Sequence, residues 1–213
     1  MAISRPKKLP RVFAIDEFKG NTGKEKYQAI ITDPASKRVL DILPCRSQAE
    51  LIAYLKQWNT KERKRIKYFV SDMWQPYSDI ASAFFKNSVQ IVDRYHFIRQ
   101  MVWAFEKVRK RIQKQYGKEC RLLFKHSRKL LIKHENKLKD YEKEQVNAIL
   151  SLSSEMLYAY ILKERFYKIM ESNDRETDKK LMSDRILFAQ NSKIPEYGKC
   201  TKTLANWRTG ILN

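Results

Sequence analysis

The sequence is poor in long apolar runs, in closely spaced cysteines and in acidic charge. It contains no run of about 18 apolar residues, so we expect no membrane-spanning helix. The cysteines Cys45, Cys120 and Cys200 lie far apart and form no CxxC pair. They therefore indicate neither a disulfide framework nor a zinc site, and they are typical of a reducing cytoplasm. The opening MAISRPKKLP is basic but precedes no apolar segment, so we expect no secretory signal there.

Glycine and proline are also scarce, with 5 Gly and 6 Pro in 213 residues. Because these residues interrupt helices and strands, their scarcity predicts long regular elements, chiefly helices in the C-terminal half. Hydrophobic residues make up 43% of the chain and charged residues 32%, which favours a folded protein over a disordered one. The length allows one or two domains with a sizeable core.

Basic residues greatly outnumber acidic ones. The chain has 44 Lys and Arg against 24 Asp and Glu, which gives a formal net charge of +20. A field of this sign favours a polyanionic partner, and nucleic acid is the commonest. The alternative is a basic surface that is only solvated. A membrane surface is disfavoured, because no basic amphipathic segment stands apart from the rest of the sequence.

Residues 11–93 have the pattern of a mixed α/β sheet. The stretch "RVFAIDEF" predicts a strand that ends on Asp16, and "KYQAIITD" and "RVLDIL" predict a hairpin around the turn at 33–36. A helix capped by Ser47 follows, then a strand in "IKYFVSD", a helix opened by Pro76 and a strand in "SVQIVD". This order predicts an antiparallel hairpin beside parallel strands.

Three of these strands end on an aspartate, namely Asp16, Asp72 and Asp93. We expect the first and fourth strands to be parallel neighbours, which would bring Asp16 and Asp72 together at one edge of the sheet. Two carboxylates there are the minimum for holding a hard divalent cation such as Mg²⁺. Paired ions activate a water or a 3′-hydroxyl and stabilise the leaving oxygen in phosphodiester displacement. The alternative is a pair of strand-terminal acids hydrogen-bonded to local backbone.

Beyond about Arg94 the pattern becomes helical and strongly basic. Apolar residues at 102, 105, 108, 112 and 116 predict one amphipathic helix. Between Lys107 and Lys133 there are eleven Lys or Arg and a single acid, Glu119. This composition predicts a surface that follows a DNA backbone, and the alternative is a solvated helix face. The candidate DNA contacts are Lys107, Arg109, Lys110, Arg111 and Lys114. Further helices are predicted over 142–152, 154–171 and 178–189.

Several motifs together resemble the catalytic region of ISL3-family insertion-sequence transposases of bacteria. They are "RVFAIDEFK", "YFVSDMWQPY", "VQIVDRYHFIRQMVWAFEKVRKR", "LYAYILKERFY" and "LANWRTGILN", in this order from about residue 10 to the end. The resemblance implies an RNase H-like α/β core of the DDE type, in which two Asp and one Glu bind two metal ions, Mg²⁺ or Mn²⁺. It assigns the first acid to Asp16 and the second to Asp72. It also implies cleavage of transposon DNA ends and strand transfer into target DNA. The intact enzyme would be a homodimer or higher oligomer, in the cytoplasm and associated with the nucleoid.

The resemblance also predicts parts that this sequence does not contain. In the family the third acid, a Glu, follows the "W…ILN" motif, and this chain stops at Asn213 within that motif. Family members also carry an N-terminal zinc-binding and helix-turn-helix region. We therefore expect a partial chain: a catalytic core over 1–99, a basic α-helical insertion over 100–195, and the start of a return to the core over 196–213.

Three functions remain open from the sequence. The first is a transposase that is weakly active or inactive, because the third carboxylate is missing, so catalysis by this chain is itself an open question. The second is a non-catalytic DNA-binding remnant that modulates a full-length transposase. The third is an RNA-binding or RNA-cleaving protein, which the fold and the charge also permit.

Most of the other residues near the strand ends have two possible interpretations. Asp93 is either a substitute third ligand or an N-cap, and His96 either takes part in proton transfer or packs nearby. Glu17 is expected to point to the face of the sheet opposite Asp16. Trp74 and Tyr77 either stack on an unpaired base or pack in the core.

Overall fold

The computed structural model describes residues 6–20, 26–169 and 175–213. These residues form two compact units. The first runs to His96 and includes residues 209–211 and 213, and the second covers 97–208 and residue 212. Within the described ranges, no helix has the length and apolar character needed to cross a bilayer.

The first unit is built on a five-stranded mixed sheet, which confirms the predicted α/β, RNase H-like fold class. The strand order is β3-β2-β1-β4-β5. The hairpin β2–β3 and the pair β1–β2 are antiparallel, whereas β1–β4 and β4–β5 are parallel. The strands are β1 Val12–Phe18, β2 Gln28–Asp33, β3 Arg38–Leu43, β4 Tyr68–Ser71 and β5 Val89–Val92.

Helices α1 (Gln48–Lys56), α2 (Thr60–Arg63) and α3 (Gln75–Phe84) connect these strands. As predicted, the Ser47 side chain caps α1 by accepting from the backbone N–H of Glu50 at 3.2 Å. Helix α2 lies in the charged segment "NTKERKR" between α1 and β4, where no helix was predicted. A cap on Asn59, which accepts from the N–H of Glu62 at 2.9 Å, explains why this short helix forms.

The core of the first unit lies on one face of the sheet. Because side chains alternate along β1, Phe13 and Ile15 are fully buried while Ala14 and Asp16 are only partly covered. The ring centroids of Phe13, Phe69 and Phe85 lie 5.5–6.3 Å from one another. The alternation that builds this core also places Asp16 on the opposite face.

The second unit is helical. The predicted helix through residue 116 instead ends at Ile112. A 3₁₀ turn over Gln113–Gln115 and an extended Tyr116 follow, and Gly117 is the N-cap of the next helix. The three later predicted helices are present with shifted ends, and predicted residues 170 and 171 lie outside the described ranges. The α-helices are α4 Arg94–Ile112, α5 Lys118–His126, α6 Arg128–Ile132, α7 Asp140–Leu150, α8 Ser154–Ile169, α9 Arg175–Asn191, α10 Pro195–Asn206 and α11 Arg208–Leu212.

Candidate functional site

Asp16 lies near the end of β1, where its carboxylate reaches the carboxyl edge of the parallel strands. Its side chain is 46% exposed. The Oδ1 atom accepts from the backbone N–H of Glu17 at 2.8 Å and lies 3.2 Å from Nε2 of His96. These contacts fix the direction of the carboxylate before any ligand is present.

Asp93 lies between β5 and α4, and His96 lies in the first turn of α4. The backbone N–H of Asp93 donates to the carbonyl of Ser71 at 2.8 Å, which ties this residue to β4. Asp93 Oδ1 accepts from the N–H of Tyr95 at 2.8 Å, so the predicted N-cap geometry is present. One donor atom each from Asp16, Asp93 and His96 lies within 4.8 Å of the others. The fold therefore groups the predicted first acid with both auxiliary candidates.

Asp72 follows the last residue of β4 and is half-buried. It does not belong to the group of three donors. Burial raises the pKa of the Asp72 carboxyl, the charge of His96 opposes that change, and the charges of Glu17 and Asp16 add to it. Its Oδ1 atom is buried and has no hydrogen-bond partner among the described residues. The ionised form of Asp72 is therefore disfavoured at this position, and a nearby cation would favour it.

The acids Asp16 and Asp72 are surrounded by a second set of side-chain contacts, which the sequence did not predict. Arg46 forms an ion pair with Glu17, and its guanidinium lies 5.0 Å from the ring centroid of Trp74. Trp74 in turn packs edge-on against Tyr77, with centroids 4.8 Å apart. Tyr77 is fully buried, and burial, aided by the charge of Asp72, raises its pKa. These contacts favour packing in the core, rather than stacking on an unpaired base, as the role of Trp74 and Tyr77.

The sequence held no signal for Arg46. It stands in an irregular segment after β3, 29 residues from Glu17, and the two meet only because β1 and the end of β3 lie in the same sheet. Glu17 itself was expected on the face opposite Asp16, and its side chain engages Arg46 while Asp16 engages His96.

The predicted DNA contacts on α4 and in the turn after it fall into two groups. Arg109 is 3% exposed and donates to Glu106 at 2.7 Å and to the carbonyl of Phe124 at 3.2 Å. Arg111 forms ion pairs with two glutamates at 2.6 Å each, which raise its pKa; they are Glu155 and Glu196. Both guanidinium groups thus hold the helical unit together. The remaining candidates, Lys107, Lys110 and Lys114, are exposed.

Comparison with known proteins adds the family. The ISL3-type DDE family, described as "Transposase", matches residues 13–213. The chain is also 24% identical over 159 residues to "Transposase for insertion sequence element IS1001" of Bordetella parapertussis, an alignment that covers 73% of this chain. The aligned region is 39% of that relative's length, so the chain spans well under half of it. No solved structure matches significantly. Because the family match covers nearly the whole sequence, the chain belongs to the ISL3 family of DDE transposases.

Proposed function

We propose that this chain supplies the metal-binding face of a transposase that cleaves the DNA ends of an insertion sequence and joins them to target DNA. The observation that carries the proposal is the grouping of Asp16, Asp93 and His96 within 4.8 Å at a sheet edge that also holds Asp72. The basic helical unit would be the predicted insertion, and it supports a polyanionic substrate. Because an insertion sequence has two ends, the working assembly would contain at least two copies.

The residues at this edge fit a divalent cation. Three carboxylates and an imidazole offer oxygen and nitrogen donors, and the buried Oδ1 of Asp72 has no hydrogen-bond partner among the described residues. Carboxylate oxygens suit Mg²⁺ and Mn²⁺, whereas an imidazole nitrogen favours Mn²⁺ over Mg²⁺. Asp16 and Asp72 would hold the metal, and Asp93 and His96 would complete or orient this set.

A bound divalent cation supplies Lewis acidity that activates a water or hydroxyl and stabilises negative charge on the phosphate. The chain's own residues prepare for this chemistry. The His96 ring nitrogen lies 3.2 Å from Asp16 Oδ1, so a proton on that nitrogen would orient the carboxylate. Arg46 neutralises Glu17 through its ion pair, which limits the repulsion that Glu17 exerts on Asp72.

The second candidate function is that of a non-catalytic DNA-binding protein that modulates a longer transposase. The observation that favours it is the set of exposed lysines on α4 and just after it, which includes Lys107, Lys110 and Lys114. The two candidates differ in the role of Asp16: it is required for catalysis and dispensable for DNA binding alone.

The first test measures Mn²⁺ binding by the purified chain. We expect Asp16→Asn to weaken Mn²⁺ affinity by at least about tenfold, because a charged ligand is lost. Asp79→Asn is the matched control, since Asp79 is exposed on α3 and accepts only from Gln75 among the described residues. Equal Mn²⁺ affinities in the two variants would remove the metal site from the proposal.

The second test measures DNA cleavage. A plasmid carrying insertion-sequence ends is incubated with the chain and Mn²⁺, and nicked and linear products are quantified. Cleavage that is lost in Asp16→Asn and kept in Asp79→Asn supports the transposase role. DNA binding without cleavage, unchanged by Asp16→Asn, supports the second candidate instead.

A further inference from the structure

A basic cleft lies between the C-terminal part of α4 and helix α5 in the helical unit. It has a volume of about 640 Å³. Among the described residues that line it, none is acidic. Its principal lining residues, which define the basic cleft below, are Lys110, Tyr116, Lys118, Arg121, Leu122 and Lys125.

One face of α5 supplies most of the cleft. Lys118, Arg121, Leu122 and Lys125 follow the spacing of three, one and three residues that places side chains in a single helical stripe. The opposite side of α5 carries Phe124, which is fully buried and packs against Tyr116 with centroids 5.4 Å apart. The helix is therefore amphipathic, with a basic outer stripe above an aromatic contact.

The floor of the cleft is held rigidly. Arg109 donates from Nη1 to the carbonyl of Phe124 in α5, at 3.2 Å, and from Nε to Glu106 in its own helix, at 2.7 Å. This guanidinium is almost inaccessible, so its charge is used to join α4 to α5. The two helices that carry the exposed cations are thereby joined to each other.

The exposed cations that define the basic cleft have no ion-pair partner among the described residues, whereas Arg109 and Arg128, which also line it, pair with Glu106. Lys110, Lys118, Arg121 and Lys125 are all exposed, and none forms an ion pair with any described residue. Like charges gathered in one concave surface repel one another and concentrate positive potential there. A polyanion that enters the cleft would relieve this repulsion.

We propose that the basic cleft binds the sugar–phosphate backbone of duplex DNA. The inference rests on the proposed function for the choice of DNA. From Lys118 to Lys125 the stripe is about 10 Å long, at about 1.5 Å per helical residue. One DNA strand places about three phosphates along that length, at about 3.4 Å of axis each. Lysines contact phosphates as point charges, so this binding is independent of base sequence.

The proposal differs from the sequence prediction in the residues that bind. Arg109 and Arg111, both predicted contacts, are engaged in ion pairs inside the unit. Lys118 and Lys125, which sequence spacing did not single out, lie in the cleft with Lys110. The helix break between Ile112 and Lys118 permits this arrangement, in which α5 contacts α4 through the bond from Arg109 to the Phe124 carbonyl.

The test is DNA binding measured by fluorescence anisotropy in EDTA, which excludes a contribution from bound metal. The probe is a random-sequence duplex of about 30 base pairs, titrated over a range of salt concentrations. The cleft variant replaces three lysines with Gln, at Lys110, Lys118 and Lys125. A control variant makes the same replacement at three exposed lysines of the same unit, Lys137, Lys199 and Lys202. Both variants carry the same net charge.

We expect the cleft variant to reduce the slope of log affinity against log salt by about 2–3, since each phosphate contact contributes about 0.9. The control variant should reduce it by less than about 1. Replacement of the same cleft lysines with Arg should preserve the wild-type slope. Circular dichroism melts of all variants confirm that each is folded.

The remaining outcomes separate this inference from the proposed function. Equal losses in the cleft and control variants would overturn the basic cleft as a DNA site while leaving DNA as the substrate. An absence of wild-type DNA binding even at low salt would overturn both proposals.

Discussion

Replacement of Asp72 by Asn is expected to stabilise the metal-free protein and to reduce strongly its stabilisation by metal. The carboxylate is half-buried, its Oδ1 atom lacks a hydrogen-bond partner among the described residues, and the charges of Glu17 and Asp16 oppose its ionisation. An amide of almost the same shape removes the charge and keeps the packing. Residues that serve a ligand are commonly retained at such a cost to stability.

The magnitude follows from the burial of the group. An unsatisfied buried group costs about 1–3 kcal/mol and more when it is charged, and Asn removes only the part that is due to the charge; half burial places this part near the lower limit. We therefore expect Asp72→Asn to raise the free energy of unfolding by about 1 kcal/mol, which corresponds to a Tm increase of about 2–4 °C for a chain of this size.

The pH dependence of this gain has a definite sign. The pKa of Asp72 in the folded protein lies above its ordinary value of 3.8, so the folded state retains this proton to higher pH than the unfolded state does. Wild-type stability therefore decreases as the pH rises from 3.8 through the folded pKa. The advantage of Asp72→Asn is complete above that window and disappears below it.

The assay is thermal unfolding in EDTA and in excess Mn²⁺. Mn²⁺ at about 100 times its Kd should stabilise the wild type by about 2.7 kcal/mol and should stabilise Asp72→Asn much less. Asp79→Asn is the control, with a change within about 0.5 kcal/mol in either buffer. A lower Tm for Asp72→Asn in EDTA, or equal stabilisation of the wild type and this variant by Mn²⁺, would refute the reasoning.

Two further predictions concern stability. In Gly210→Ala the new Cβ would lie 2.9 Å from Cγ2 of Val92, a stiff side chain, so we expect a loss of about 1 kcal/mol in a denaturant titration, and unchanged stability would contradict it. Arg109→Met leaves the buried Glu106 short of one partner and should cost about 3 kcal/mol, whereas Lys110→Gln on the same helix should be neutral. Burial raises the pKa of Glu106, but the hydrogen bonds from Arg109 and Arg128 outweigh burial, so the net pKa lies below 4.5. The cost of Arg109→Met should therefore shrink as the pH falls below 4.5, and a pH-independent cost would argue against the ion pair.

Local pattern was enough to predict much of the sheet. The alternation in "RVFAIDEF", the turn that follows Asp33 and the Ser47 cap depend on residues only a few positions apart, and each is present in the structure. The family resemblance was confirmed as well, because its motifs are contiguous stretches that can be compared directly. The assignment of Asp16 and Asp72 as metal ligands remains a prediction.

The contacts within the site were beyond local pattern. Asp16 and His96 are 80 residues apart, and parallel pairing of β1, β4 and β5 is what brings them within 3.2 Å. The sequence likewise treated Arg109 and Lys110 as equivalent cations. Their surroundings differ because adjacent residues on a helix point in different directions. Arg109 contacts Glu106 inside the unit, whereas Lys110 is exposed to solvent.

The sequence by itself determined the class of the fold, the family and the strong positive charge, since these properties depend on composition, periodicity and contiguous motifs. Only the tertiary structure decided which acids lie close together and which cations remain exposed rather than engaged in ion pairs. The physical reason is that strand pairing and helix packing bring together residues that are far apart in the chain. Some charged side chains then form ion pairs inside the fold, while others stay exposed.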